Sequence, residues 1–255
     1  MKRMLRNTVI AVPLKISQCV LGALIGVVLV SAASGSEVAQ EEEWDFTLSP
    51  YLWAAGLSGT STLGPVEADV DASFRDILDA LEIGAMLDAR LEKGRWALQS
   101  NLVWVDLANE STRRLTKTQI EAETWIVELD GHYQVAENLE VLAGIRYYDL
   151  SVDADLTGVV TASASGDESW VDPIVGAIIS IPLTDRWSFT TRSDIGGFGV
   201  GSDLAWQLCG VFDYRVGASN SLVLGWRHLD WDYDESRFDM DTYMTGPVAG
   251  ISFRF

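Results

Sequence analysis

From residue 44 to Phe255 the apolar residues recur at every second position, and beyond the first thirty residues no run approaches the roughly 20 apolar residues of a spanning helix. The last ten residues, GPVAGISFRF, show the pattern plainly. Tyr243, Pro247, Ala249, Ile251, Phe253 and Phe255 share one face of a strand, and Gly246, Val248, Gly250, Ser252 and Arg254 share the other. A chain that is 48% hydrophobic must hide that surface in a large core or against lipid. In hydrocarbon every backbone N–H and C=O needs an internal partner, so without helices the second choice demands a closed barrel.

The candidate strands are 44–56, 83–93, 96–107, 120–135, 139–150, 170–183, 187–198, 204–215, 221–233 and 243–255. Every second connection is short (93–95, 136–138, 184–186, 216–220), and the others (57–82, 108–119, 151–169, 199–203, 234–242) are mostly longer and more polar. This predicts a closed antiparallel transmembrane β-barrel of about ten strands, with eight the alternative. Short turns would face the periplasm and longer loops the outside, with both termini on the short-turn side.

The two faces differ in kind. Trp96, Leu98, Ser100, Leu102 and Trp104 on one strand, and Leu204, Trp206, Leu208, Phe212 and Tyr214 on another, place aromatics toward the ends and aliphatics between. That banding suits the headgroup girdles of a bilayer. The opposite faces carry Asp88, Arg90, Glu92, Glu128, Asp130, His132, Arg146, Asp172, Arg192, Asp194, Asp213, Arg215, Arg227 and Arg254. Acids and bases are mixed, so we expect them to pair across a narrow lumen. The proposed lumen organisers are Asp88, Arg90, Glu128, Asp130, Arg146, Arg192, Asp194, Arg227 and Arg254. Pro50, Pro173 and Pro247 fall inside strands and donate no ladder bond. We expect bulges at Pro50 and Pro247.

The amino end holds Lys2, Arg3, Arg6 and Lys15, an apolar stretch from Val20 to Val30, and small residues from Ser31 to Ser36. It reads as a cleaved signal peptide over 1–35, followed by an acidic lead-in over 36–43 and the barrel over 44–255. Loss of that leader removes four cations from a formal net charge of −19, a surplus that argues against nucleic-acid partners. One cysteine, Cys209, would then remain, so no internal disulfide forms.

The segments SPYLWAAGLSG, GRWALQSNLVWVDL, WVDPIVGAIISIPLTDRWS, SDIGGFGVGSDLAWQ, GWRHLDWDYD and GISFRF resemble a family of small, mostly uncharacterised outer-membrane β-barrel proteins of Gram-negative bacteria. The resemblance implies the fold and an outer-membrane location. It carries no reaction, ligand or catalytic residue.

Four features admit competing readings. GGFGVGS (196–202) looks like a phosphate loop, but the strand-like DLAWQ that follows favours a surface turn over a helix N-terminus. Asp230, Asp232 and Asp234 alternate toward Glu235, Asp239 and Asp241, forming either a rim for a divalent cation or a solvated acidic edge that exchanges cations with lipopolysaccharide. Ser73 precedes Phe74, Ile77, Leu78 and Leu81 at helical spacing, which predicts a short amphipathic helix packed on the rim, the alternative being a lid on the lumen. His132 and His228, the two histidines, lack an evident Ser partner, so no catalytic activity and no cofactor are expected. The functional expectation is a structural barrel or narrow channel for ions and small solutes, surrounded by lipid and lipopolysaccharide. The alternative is an adhesin-like barrel acting through acidic outer loops, and a lipid-modifying enzyme ranks behind both.

Overall fold

The computed structural model describes residues 43–63, 66–113, 116–157, 162–235 and 238–255; the predicted leader lies outside them. The elements are β1 Asp45–Trp53, β2 Gly56–Leu63, β3 Val66–Ala72, α1 Phe74–Ala80, β4 Leu81–Lys93, β5 Trp96–Arg113 and β6 Thr116–Ala136. They continue with β7 Leu139–Thr157, β8 Ala162–Pro182, β9 Trp187–Gly197, β10 Leu204–Arg215, β11 Asn220–Glu235 and β12 Phe238–Arg254. Every pairing is antiparallel, in the order β1-β4-β5-β6-β7-β8-β9-β10-β11-β12, and β12 returns to β1 with Thr47 opposite Arg254 and Trp53 opposite Val248. Ten strands therefore close, as the alternation predicts, and the eight-strand alternative falls away. No described helix is long and apolar enough to cross a membrane.

The outward face is the predicted one. Leu98, Ile145, Leu208, Leu224 and Ile251 are exposed, a continuous apolar band that only lipid would cover. It is bounded near the short turns by the cross-strand pairs Trp96/Tyr133 and Trp187/Tyr214, with ring centroids 4.7 and 4.8 Å apart. The opposite border carries Trp104/Trp125 at 5.2 Å and Trp206/His228 at 4.5 Å. Aromatic rings at both levels meet the mixed polarity of headgroups.

Three expectations are corrected. The segments assigned to long loops at 108–119, 151–169 and 234–242 are largely strand, because β5 to β8 run 18 to 21 residues each, far beyond the roughly 9–11 that cross a bilayer. A ladder asks only for backbone partners, so the polar, Thr- and Ser-rich sequence there lost the alternation without losing the sheet. Likewise 57–82 is a β2–β3 hairpin plus α1.

The bulges at Pro50 and Pro247 are absent. Register between β1 and β12 is unchanged on both sides of Pro50, from Leu48↔Phe253 to Tyr51↔Gly250. It holds across Pro247 into β2, where Gly56 faces Thr245. The prolines interrupt pairing instead: the β1–β4 ladder ends at Pro50↔Leu87, and opposite Pro247 the chain breaks between β1 and β2, with Ala54 N donating to the Pro247 carbonyl at 2.9 Å. Above Pro50 the wall thus parts. β1 continues into β2, which pairs β12 and β3, while β4 keeps only β5. Trp53 N donates there to Met86 Sδ at 3.0 Å.

Helix α1 lies against β2, β3 and β5 beside that gap. Ser73 caps it: its hydroxyl accepts from Asp76 N, and Asp76 Oδ2 accepts from Ser73 N. No α1 residue is buried, and its neighbours are β2, β3 and β5, so it packs on the rim.

Candidate functional site in the lumen

The inward slots of the strands build three levels. Outermost is a dry plug of Trp53, Val103, Ile126, Tyr148, Trp170, Leu229, Trp231 and Tyr233, all buried. Tyr148 stacks on Trp170 at 4.7 Å, Trp170 on Tyr233 at 4.2 Å, and Tyr148 tilts toward Trp231 at 5.7 Å. Each such pair adds about 0.5–1.5 kcal/mol beyond its burial. The GGFGVGS segment closes this level as a turn: φ is positive at Gly197, Phe198 and Gly199, and Leu204 then begins β10, so no helix follows to bind phosphate. The turn folds inward through Ser202, whose N and Oγ both donate to Asp172 at 2.7 and 2.8 Å, while Trp170 Nε1 donates to Ser202 Oγ at 2.9 Å.

Beneath the plug lies a buried ion cluster centred on Glu128. Its Oε1 accepts from Arg146 Nε at 3.0 Å and Arg227 Nη2 at 2.8 Å, and its Oε2 lies 2.9 Å from Arg192 Nη2. Asp194 receives Arg146 Nη2 at 2.7 Å and Arg192 Nε at 2.8 Å, and Asp130 Oδ2 lies 3.0 Å from Arg192. Arg227 also donates to Gln207, Tyr51 and Asn101 and lies 4.7 Å over the Trp53 ring. These contacts tie β1, β5, β6, β7, β9, β10 and β11 through side chains across the barrel. Three guanidiniums meeting three carboxylates meet the condition under which buried charges persist.

Nearer the short turns is a second, wetter group. Arg90 pairs with Glu92 and with Glu140 at 2.8 Å, and donates to Gln99 at 3.1 Å; His132 Nδ1 lies 3.5 Å from Glu140. Among the described residues Asp88 ion-pairs with no cation; its Oδ2 accepts from Gln99 at 2.7 Å and Asn101 at 3.3 Å.

The expected organisers thus divide. Glu128, Asp130, Arg146, Arg192, Asp194 and Arg227 form the central cluster, and Asp88 and Arg90 the second group. Arg254 is a correction: it ion-pairs with Asp45 at 2.6 Å on the short-turn rim, its side chain 58% exposed, because its strand ends there and water reaches it. The Arg254 hydrogen bond holds the Asp45 carboxyl below its usual range. Gln99, Asn101, Gln207, Glu140 and Tyr51 were missed, although each occupies an inward slot of the same alternation and is polar enough to have signalled its place.

Asp230 and Asp232 lie on the outward face with Asp241 directly opposite Asp232, and Asp239 faces Asp234 across the hairpin. Among the described residues no three acidic, histidine or cysteine side chains are grouped to hold a metal ion. The direct opposition of like charges spreads the carboxylates as an acidic edge. Burial first, then the charges of Asp241 and Asp203, raise the Asp232 carboxyl above its usual range. His228 lies between Trp206 and Tyr243, at the position of an interfacial ring.

No protein-family model matches the chain, and no curated protein matches it. Solved outer-membrane barrels do. The translocator domain of the autotransporter NalP from Neisseria meningitidis matches at 10% identity over 85% of this chain and 90% of that one, TM-score 0.46. Ail, the attachment invasion locus protein of Yersinia pestis, matches at 10% over 84% and 99%, TM-score 0.40. The outer-membrane protease OmpT from Escherichia coli matches at 9% over 86% and 99%, TM-score 0.46. The last is a protease, against the expectation of no catalytic activity. With an apolar exterior, two aromatic girdles and a β1–β12 seam that closes the ring of ten strands, the chain is a closed β-barrel of the outer-membrane kind.

Proposed function

We propose that this is a bacterial outer-membrane protein with the structural one of the two roles expected from its sequence, a sealed barrel that holds a stiff, acidic β-extension above the outer leaflet, and not the narrow channel. The observation that carries this reading is the plug: Tyr148, Trp231, Leu229, Ile126 and Val103 are at most 2% exposed and cap the ion cluster from above. Ions would have to cross both a dry aromatic layer and a cluster whose guanidiniums are already paired. Planar-bilayer recording tests it. The wild type is expected to show no discrete conductance steps, and Trp231→Ala with Tyr148→Ala to introduce them; steady wild-type conductance would overturn the proposal.

A second reading, surface binding through the extension, is favoured by the length of β5 to β8. The ladder pairs Lys117 with Thr157 and Leu156 with Ala162, so the hairpins project as sheet and present Asp153, Asp155 and Asp167 on a rigid frame. Lipopolysaccharide phosphates, bridged by divalent cations, are the natural neighbours of such an edge. Trimming residues 153–166 should abolish a surface-binding phenotype while the barrel still folds. Unchanged binding would remove this reading.

A further inference from the structure

Below the ion cluster the lumen widens toward the short-turn rim into a cavity of about 370 Å³. That is within the range of pockets that hold small organic molecules. Its two sides differ. Ile178, Val211, Val223 and Val248, from β8, β10, β11 and β12, make one side largely apolar, while Asp88, Arg90 and Glu140 from β4 and β7 charge the other.

Among the described residues of the lining, the charge left without an ion pair has one sign. Arg90 is engaged by Glu92 and Glu140, Arg192 by Glu128, Asp130 and Asp194, and Arg227 by Glu128 and three neutral acceptors. Two of the carboxylates are not engaged in this way. Asp213 lines the cavity from β10, between Val223 and Ser188 of the neighbouring strands, and makes no hydrogen bond or ion pair among the described residues. Asp88 lines it from β4 with both of its hydrogen bonds donated by amides to Oδ2, so Oδ1 is unused. A carboxylate held in a partly dry cavity without a cation is costly, and a ligand that supplies the cation removes that cost.

We infer that this vestibule, open at the short-turn rim, binds a small organic cation with an apolar body: a primary ammonium that meets Asp213 or Asp88 while its hydrocarbon lies against Ile178, Val211 and Val223. An anion finds every guanidinium of the lining already ion-paired with a carboxylate, and a neutral molecule leaves both aspartates as they were. This site is on the opposite side of the plug from the acidic extension, so it stands whatever the outer face does.

Cys209 lines the same cavity and reports on it. In the full chain carrying Cys19→Ser, the rate of Cys209 alkylation by a small maleimide is measured in detergent micelles with benzylammonium, benzyl alcohol or benzoate. Benzylammonium is expected to protect at concentrations about tenfold lower than benzyl alcohol, the discrimination of one charge-assisted hydrogen bond, and benzoate not at all. Asp213→Asn should weaken benzylammonium about tenfold and leave benzyl alcohol unchanged. Equal protection by the three probes, better protection by benzoate, protection by none, or a Cys209 that never reacts would each overturn the inference. The probe series on the Cys19→Ser chain decides the matter even if Asp213→Asn does not fold.

Discussion

Glu128→Gln is the perturbation on which the account of the lumen rests most heavily. It preserves side-chain volume and removes the one charge that three arginines share. Arg146 and Arg192 would retain Asp194, and Arg192 also Asp130, but Arg227 would be left with Gln207, Tyr51 and Asn101 as its described polar partners and no carboxylate. Stranding a buried cation by deleting its partner costs about 3–5 kcal/mol. Because two of the three arginines keep an acid, the loss belongs toward the lower end, about 3 kcal/mol or a factor of more than 100 in the folded-to-unfolded ratio. The assay is equilibrium urea unfolding in lipid vesicles, followed by the fluorescence of the 10 tryptophans. Adding Arg227→Met to Glu128→Gln should return at least about 1 kcal/mol, since the stranded cation is gone, so the double-mutant cycle is non-additive. A loss under about 1 kcal/mol for Glu128→Gln, or strict additivity with Arg227→Met, would refute the idea that the network is one coupled unit.

Leu208→Arg places a cation on the lipid face near the middle of β10 and should cost about 2–4 kcal/mol in the same unfolding assay, whereas Val216→Arg on the short-turn rim should cost about 0–1 kcal/mol. Gly201→Ala puts a methyl group 2.5 Å from Asp172 Oδ1 and 2.7 Å from the Val171 carbonyl, so the turn must move off Asp172. The expected loss is about 1–3 kcal/mol, with faster amide exchange at Ser202. Asp232 has its folded pKa raised above the unfolded value, so its contribution to stability is fully present below the unfolded pKa and is lost as pH rises through the folded one. Amide protection along β11 and β12 near Asp232 and Asp241 should therefore increase as pH falls toward 4; no change between neutral and mildly acid pH would contradict it.

The fold was legible because its signal is local. Side chains alternate every two residues, lipid rewards apolar atoms on one side of every strand, and so Leu98, Trp104, Leu208 and Phe253 declare their direction from sequence alone. The same parity placed Glu128, Arg146, Arg192 and Arg227 inward. It failed where both faces meet water: in 108–119 and 151–169 nothing distinguishes a polar strand from a loop, since the ladder there is held by backbone bonds. The prolines misled for a related reason, because a seam whose register is held along its whole length tolerates a missing donor without shifting.

What only the tertiary structure decided is which inward residues meet, and at what height. Arg227 reaches Glu128 across 99 residues of sequence, and Tyr51 lies 176 residues from the Arg227 it contacts. Such meetings depend on the stagger between strands around the closed wall, a quantity that no strand carries by itself. The alternation therefore determined that this chain turns its oil to the membrane and its charges to the centre. The stagger alone decided that aromatic residues from β1, β7, β8 and β11 converge into a plug, that Arg254 is left at the rim, and that Asp213 faces a cavity without a cation.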